Sequence, residues 1–330
     1  MDLIGLGIIT GRVLLIFAVF MGVVAYITWA ERKILGHMQS RHGPLHVGWH
    51  GLLQPIADGI KLFFKEDITV SEANKVIYNL APFIVTTTSF LCLAVIPFSG
   101  TINIFGREVG VYIADINVAI LYILAISSLG VYGVVLAGWS SNSKYSFLGG
   151  LRSSAQMISY EIATGLAIVG VLMVSGSFSL VDIVNSQKGL WNIILQPIGF
   201  IIFLICGFAE CNRTPFDLPE CENELVAGFH TEYSSMKFAL FFMGEYAHIL
   251  VISSLITTLY LGGWNGPVFP GVIWFIIKTS FFAFLFIWVR ATYPRFRYDQ
   301  LMKFGWKVLL PLGLVNIIIT GLIIAIVKGW

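Results

Sequence analysis

The sequence is short of charged side chains. Asp, Glu, Lys and Arg make up 12% of its 330 residues, whereas a soluble globular protein carries about 25%. Hydrophobic residues account for 57%, and apolar runs of roughly 20 residues recur along the chain, each long enough to cross a hydrocarbon core about 30 Å thick. The composition excludes a sizeable soluble domain and predicts an all-α integral membrane protein.

Cysteine is scarce and shows no spacing typical of a metal site. Cys92, Cys206, Cys211 and Cys221 form no CxxC pair, and no histidine lies at ligand spacing from two of them. We therefore expect this chain to bind no metal ion and no iron–sulfur cluster. The sequence also lacks a phosphate-binding loop, a catalytic triad and a zinc-protease motif. A net charge of only +2 gives no indication of a nucleic-acid partner.

About eight transmembrane helices are predicted from the apolar runs, and together they form a single polytopic membrane domain over residues 1–330. The first run is expected to be a retained helix, because it lacks the basic region and cleavage site of a removable signal peptide. The predicted spans are residues 8–29, 76–98, 113–138, 155–175, 191–209, 236–260, 272–291 and 306–327.

Positive charges are concentrated on one side of the predicted bundle. Of the 20 Lys and Arg residues, Lys278 falls within a span, four lie on one side and the other fifteen lie on the opposite side. By the positive-inside rule the side with fifteen is cytoplasmic, and both termini are periplasmic. The four exceptions are Arg12, Arg107, Lys188 and Lys328. The long polar loops, which we expect to contact soluble partners, are also cytoplasmic: residues 30–75, 139–154, 210–235 and 292–305.

The first cytoplasmic loop, residues 30–75, carries an amphipathic pattern. Its apolar residues follow helical spacing and its polar residues fall on the opposite side of the helical wheel, which predicts an interfacial helix in the plane of the membrane. Pro55 limits the upstream extension, so the regular part is expected to begin near Leu53. The apolar set is Trp49, Leu52, Leu53, Ile56, Ile60, Phe63 and Phe64, and the polar set is His50, Gln54, Asp58, Lys61 and Lys65.

Carboxylates occur within or beside the predicted spans. Glu161 and Glu245 fall inside the fourth and sixth spans, and Glu210 ends the fifth. Charges at membrane depth cost several kcal/mol unless paired or hydrated, so each is a candidate for function, here a proton relay. The alternative for Glu161 and Glu245 is a buried, hydrogen-bonded side chain that holds helices together. In the acidic cytoplasmic loop 210–235, the stretch from Asn212 to Glu224 adds four carboxylates beside the single Arg213: Asp217, Glu220, Glu222 and Glu224. The alternative for this stretch is a solvated acidic surface.

Two further ionisable residues fall inside spans. Glu245 and His248 stand at i and i+3, and without a third ligand we expect a hydrogen-bonded pair rather than a metal site. Lys278 lies about two turns inside the seventh span. Snorkelling to the outer interface and a part in proton transfer are equally compatible with its position. Arg290, Arg295 and Arg297 are interpreted as topology determinants.

Several long strings resemble one family, the quinone-site membrane subunit of respiratory complex I, which carries the letter H in bacteria and the number 1 in mitochondria. The resemblance covers roughly residues 26 to 312. The strings are AERKILGHMQSRHGP from Ala30, GLLQPIAD from Gly51, KLFFKE from Lys61, SYE from Ser159, ECNRTPFDLPE from Glu210, ENELVAGFHTEYSSM from Glu222 and RATYPRFRYDQLM from Arg290.

The resemblance implies a part in proton-pumping NADH:quinone oxidoreductase, with quinone as substrate and no flavin or iron–sulfur centre in this chain. Expected partners are two peripheral quinone-site subunits (one with the terminal iron–sulfur cluster), small and antiporter-like membrane subunits, and lipid. By resemblance, the proton relay would comprise Glu161, Glu210, Glu220, Glu222, Glu224 and Glu245. The quinone chamber and its entrance would comprise Glu31, Arg32, Arg41, Gln54, Asp58, Arg213, Phe216 and Asp217.

The sequence departs from the family pattern at Cys211 and Cys221, where small or polar residues are expected. These thiols predict sensitivity of the acidic loop to thiol reagents. Three rival functions stay open at this point: the related subunit of an energy-converting hydrogenase or a formate- or ferredoxin-linked complex, an autonomous proton or cation transporter, and a structural anchor. A bacterial inner membrane is expected, in preference to an organellar one, because the strings match closely.

Overall fold

The computed structural model describes residues 3–104, 107–219 and 222–328. Within these residues, seven helical segments are long and apolar enough to cross a membrane, so the predicted all-α membrane fold is confirmed. Six of them are α1 (Leu3–Met38), α3 (Lys75–Cys92), α4 (Ala119–Ser140), α5 (Lys144–Ser175), α10 (Ser235–Tyr260) and α11 (Gly271–Thr292). The seventh is continuous and comprises α12 (Tyr298–Phe304), a π-helical turn (Gly305–Leu309) and α13 (Leu310–Lys328).

Shorter elements connect these helices. The segment between α1 and α3 contains a 3₁₀ turn (Trp49–Gly51) and α2 (Gln54–Phe64), which begins one residue after the expected Leu53. A two-stranded antiparallel hairpin, which the sequence analysis did not predict, follows α3. The remaining elements are β1 (Ser99–Ile104), β2 (Arg107–Val111), α6 (Leu180–Ser186), α7 (Asn192–Leu195), α8 (Pro197–Glu210) and α9 (Glu222–Leu225).

The fifth predicted span is interrupted. Helix α7 ends at Leu195, Gln196 leaves helical geometry with φ −132° and ψ 55°, and α8 restarts at Pro197. Proline is favoured at the first position of a helix, where its missing N–H costs nothing. Helix α8 has 14 residues, so it rises about 21 Å, less than the ~30 Å of a hydrocarbon core.

Several helices extend beyond the predicted spans. Helix α1 continues to Met38 past the charged Glu31, and α5 begins at Lys144 rather than near residue 155. Most of the predicted loop 139–154 is therefore helix. Hydropathy identifies only the apolar part of a helix, whereas Lys, Arg and Glu are themselves good helix formers. The extensions bring charged side chains next to the bundle.

Helix α10 is the central helix of the bundle. In the most apolar part of Ser235–Tyr260, 67% of the residues are buried inside the protein. The corresponding share is 17% in the C-terminal membrane segment. Around it, small residues allow close helix contacts. A Cβ on Gly138 of α4 would lie only 2.5 Å from the carbonyl oxygen of Ser146 in α5, so a larger residue there would separate the two helices.

Helix α2 is held against the start of α10. The Ser235 hydroxyl donates to the Leu62 carbonyl at 3.0 Å, and the Ser234 hydroxyl donates to the Glu66 carbonyl at 2.9 Å. Its apolar side chains stay exposed; Phe64, for example, is 81% exposed. The same chain segment is thus fixed at one end and presents an apolar face outward.

Lys278 is a structural cation in this fold. Its ammonium donates to the carbonyls of Leu261 (2.7 Å), Gly263 (3.0 Å) and Asn265 (2.8 Å), at the turn that follows α10. It also lies 4.6 Å from the centre of the Trp191 ring. Lys278 is 6% exposed, so it does not snorkel into solvent, and its three donors are all engaged.

We expect Lys278→Met to destabilise the protein, because three carbonyls lose a charged donor. A hydrogen bond to a charged group contributes about 1.5–3 kcal/mol, so the thermal midpoint of the detergent-solubilised native assembly should decrease by several degrees. The exposed Lys188→Met is the matched control. An unchanged midpoint for Lys278→Met would show that these contacts do not stabilise the turn.

Candidate functional site

Charged side chains converge near one end of the bundle. Glu31 comes from the extended end of α1, Arg213 from the loop after α8, Glu245 from α10 and Arg290 from the end of α11. Glu31 and Arg213 are only 4% and 5% exposed. Charges so deeply buried must be paired.

The four residues form one ion-pair network. Arg213 donates through Nη1 to both carboxylate oxygens of Glu31, at 3.0 and 3.2 Å, and its Nε lies 2.5 Å from Glu245 Oε1. Arg290 also pairs with Glu31. The planar guanidinium presents five N–H donors in a fixed fork, so different edges of it can serve two carboxylates at once. The network therefore links α1, α10 and α11 through one loop residue.

Arg213 stays charged although it is buried. Burial alone would lower the pKa of its guanidinium, but Glu245, Tyr246 and Glu31 raise that pKa above its ordinary value. The guanidinium carbon also lies 4.5 Å from the centre of the Tyr246 ring, a cation–π contact. Arg213 is thus a fixed positive charge beside two carboxylates.

Glu210 lies deeper, at the end of α8. Its Oε1 accepts a hydrogen bond from the Thr164 hydroxyl at 3.0 Å, and its Oε2 lies 3.8 Å from His248 Nε2. One turn before Thr164 on α5, Glu161 accepts a hydrogen bond from the Ser128 hydroxyl. Residues at i and i+3 share a helix face. Glu161 and Glu210 therefore lie near one another, and each is held by a hydroxyl donor.

His248 corrects a prediction made from spacing. The expected Glu245–His248 pair is not what forms, because Glu245 pairs with Arg213 while His248 faces Glu210. Helical spacing considers neighbours on one helix only. The competing partners come from the loop after α8 and from α8 itself.

A cavity lies among these acids. It offers about 60 Å³ to the centre of a water molecule, and roughly 10–15 Å³ is enough for one water. Its polar lining gives such waters hydrogen-bonding partners. The charged and titratable lining residues are Cys92, Glu210, Cys211, His230, Glu245 and His248.

Two of these lining residues stay uncharged. Burial lowers the pKa of His230 to about 4, and the imidazole is surrounded by the rings of Phe229, Phe238 and Phe242. Burial and then the charge of Glu210 raise the pKa of the Cys211 thiol well above its ordinary value. The expected thiol sensitivity is wrong for Cys211, which is buried and protonated; Cys221 lies outside the described residues.

A second cluster of polar side chains joins α1 to α2. Arg32 donates to Asp58 Oδ2 at 2.6 Å, and Gln54 donates to Asp58 Oδ1 at 2.9 Å. Arg41 does not join this group; its Nε donates to Gln39 within the same loop at 2.8 Å. Arg32, Gln54 and Asp58, three of the residues predicted for the chamber and its entrance, are thus brought together.

The acidic loop obtains its cations from other parts of the chain. Asp217 pairs with Arg295 at 2.8 Å, and Glu224 pairs with Arg152 at 2.5 Å. Phe216 is buried between the rings of Tyr160 and Phe296. The predicted relay residue Glu220 lies outside the described residues, and so does the side chain of Glu222.

Sequence reasoning missed several members of the site. Arg290 and Arg295 were interpreted as topology determinants, yet they pair with Glu31 and Asp217. The sequence shows that these arginines cluster at the end of a span. It does not indicate their ion-pair partners, because those carboxylates are distant in sequence. Ser128 and Thr164 gave no signal, because hydroxyl residues occur throughout the spans. Among the described residues, no group of three or more His, Cys, Asp or Glu could hold a metal ion.

Comparison with known proteins places the chain in a family. A family model described as NADH dehydrogenase matches residues 11–321. The first of the H-type subunits of NADH-quinone oxidoreductase in Geobacter sulfurreducens is 59% identical over an alignment of 328 residues, and the match covers 96% of this chain and 94% of the relative. The second H-type subunit of Geobacter metallireducens is 58% identical over 328 residues (96% and 95%). The second H-type subunit of Rhizobium meliloti is 51% identical over 323 residues (97% and 98%).

Proposed function

The chain belongs to the NADH dehydrogenase family as an H-type subunit of NADH-quinone oxidoreductase, and from this premise we propose that it forms the membrane part of a quinone-binding chamber and carries a proton relay. The names of its relatives favour this function over a hydrogenase-linked subunit and over an autonomous transporter. The chain supplies side chains that bind quinone and transfer protons, while the electrons arrive from a partner subunit.

One observation carries the proposal. Buried carboxylates form a row from the ion-pair network to the cavity. Glu31 and Glu245 both pair with Arg213, and Glu210 follows. The Thr164 hydroxyl connects Glu210 to the face of α5 that also carries Glu161. A cavity with room for several waters lies beside Glu210 and Glu245. Carboxyls and waters in such a row satisfy the physical requirement of a proton relay through a low-dielectric region.

Quinone reduction would drive the relay electrostatically. Reduction brings electrons into the chamber and consumes protons, so the charge next to the network changes. In a low-dielectric environment the field of such a charge is weakly screened. The ion pair of Asp217 with Arg295, at the polar end of the chamber, would experience the change in charge first. The pairs of Arg213 with Glu31 and Glu245 would then transmit the electrostatic effect to Glu210.

Helix α2 would border the quinone entrance. Its exposed apolar residues, among them Ile60 and Phe64, suit a helix lying at the membrane surface, and the isoprenoid tail of a quinone is itself apolar. Arg32, Gln54 and Asp58 would form a polar rim at this entrance. Peripheral subunits would close the chamber from the same side, where the polar loops lie.

The distribution of Lys and Arg also favours a cytoplasmic position for the polar loops and the quinone entrance. We place the loops rich in Lys and Arg in the cytoplasm of a bacterium, with both termini on the periplasmic side. Seven long helices and the shorter α8 give an even number of crossings if α7 and α8 together complete one span. Under this arrangement the network of Arg213 lies toward the cytoplasm, and Lys278 lies toward the periplasm.

The proposed function is tested in the assembled complex, in sealed membrane vesicles. Proton uptake and NADH-dependent quinone reduction are measured together for Glu161→Gln, Glu210→Gln and Glu245→Gln. We expect each variant to assemble and to lose coupled turnover. Wild-type turnover and proton transport in all three would contradict the relay.

Asp58→Asn should raise the KM for quinone with little change in kcat, because the polar rim contributes to substrate binding but not to the chemical step. Loss of an exposed ion pair contributes up to about 1 kcal/mol, or roughly fivefold in KM. Asp299→Asn, which removes another exposed ion pair with Arg297, is the matched control. A KM equal to that of the wild type would place the entrance elsewhere.

A further inference from the structure

The two oxygens of the Glu210 carboxyl have different neighbours. Oε1 accepts a hydrogen bond from Thr164, whereas Oε2 faces His248 Nε2 at 3.8 Å. Glu210 lies on α8 and His248 on α10, so this approach joins two helices. The Thr164 hydroxyl fixes the carboxyl orientation and leaves one oxygen directed at the imidazole.

His248 Nε2 is buried and has no hydrogen-bond partner among the described residues. A buried nitrogen without a hydrogen-bond partner is unfavourable. The distance of 3.8 Å to Glu210 must shorten by about 1 Å to make a hydrogen bond, which small side-chain rotations can provide. Groups that exchange protons often stand this far apart before the substrate complex forms.

The pair also lies between two cavities. Glu210 and His248 line the 60 Å³ cavity and a second one of about 20 Å³ deeper in the bundle. Apart from Cys92, Ser127, Thr164 and the pair itself, the deeper cavity is lined by aliphatic and aromatic residues such as Ile123, Phe203 and Leu255. The pair therefore lies where the larger, more polar cavity meets a smaller and more apolar one.

We propose that His248 is the proton-transfer partner of Glu210. In the transfer, the O–H bond at Glu210 Oε2 breaks and an N–H bond forms at His248 Nε2, which leaves a carboxylate beside an imidazolium. The reverse step returns the proton to Glu210. Glu245, one turn earlier on the helix of His248, provides a further negative charge near the imidazolium. This inference rests on the proposed relay and adds a residue to it.

His248→Gln and His248→Leu test the inference in the assembled complex in vesicles. Glutamine can hydrogen-bond to Glu210 but cannot take up a proton, so a purely structural role would survive in it, whereas proton transfer would not. General acid–base groups contribute about 10²–10⁴-fold. We expect both variants to lose coupled turnover at least tenfold and to show a larger solvent deuterium isotope effect than the wild type.

Ser253→Ala is the matched control, because Ser253 is a buried polar residue on the same helix but lines neither cavity. Turnover is normalised to assembled complex. Wild-type coupled turnover in His248→Gln would overturn the inference. If Glu210→Gln nevertheless loses turnover in parallel, the relay stands without His248. If Glu161→Gln, Glu210→Gln and Glu245→Gln are all unaffected as well, the proposed function itself fails.

Discussion

Arg213→Met is expected to have the largest effect of any single substitution in this chain. The side chain is similar in size, but the carboxylate of Glu245 loses its ion-pair partner, while Glu31 keeps Arg290. Removing one member of a buried ion pair costs about 3–5 kcal/mol. This cost falls on stability, so the amount of assembled complex should decrease strongly. Quinone-linked turnover of the remaining complex should decrease by roughly 100-fold or more, the size of effect that loss of a preorganised charge partner has on turnover.

A double substitution separates assembly from function. In Arg213→Met with Glu245→Gln, the unpaired charge disappears, so the complex should assemble again, as a coupling energy between contacting residues requires. Quinone-linked turnover should stay low, because both the fixed cation and the acid are gone. Equal assembly of the single and double variants would show that Arg213 and Glu245 are not energetically coupled.

Glu210→Gln should abolish the coupling of quinone reduction to proton translocation without changing the fold. Glutamine keeps the size of the side chain and the oxygen that accepts from Thr164, but it cannot ionise. We expect NADH-to-quinone turnover to fall by about 100-fold, within the range of proton-transfer groups. Electron transfer from NADH to a water-soluble acceptor, which bypasses the membrane part, should be unchanged.

Asp182→Asn is the matched carboxylate-to-amide control. Asp182 is exposed and accepts a hydrogen bond from the Ser177 hydroxyl at 2.9 Å, far from the acid network in sequence and on the periplasmic side of our topology. It should retain wild-type turnover. An equal loss in both variants would assign the effect to general disturbance of the membrane part.

The membrane fold was predictable from the sequence, and so was the presence of carboxylates within its helices. Hydropathy depends on local composition, so the long helices were found, and a carboxylate such as Glu161 or Glu245 stands out in an apolar run. The ends of the helices were not predictable in this way. The charged residues up to Met38 in α1 and those from Lys144 in α5 carry helix propensity but no hydropathy signal.

The partners of the acids were beyond sequence reasoning, because they depend on tertiary structure. Arg290 is 259 residues from Glu31, yet the two pair. Local spacing suggested a Glu245–His248 pair, but Arg213 binds Glu245 instead. A buried charge takes the strongest available partner, and the available partners are known only once the helices are packed.

Infrared difference spectroscopy on the assembled complex, between its quinone-oxidised and quinone-reduced states, tests the central claim most directly. If buried carboxyls change protonation when quinone is reduced, a band from the C=O stretch of protonated carboxyl groups should appear in the wild type and diminish in Glu210→Gln. The absence of any such carboxyl band in a complex that still translocates protons would contradict the relay.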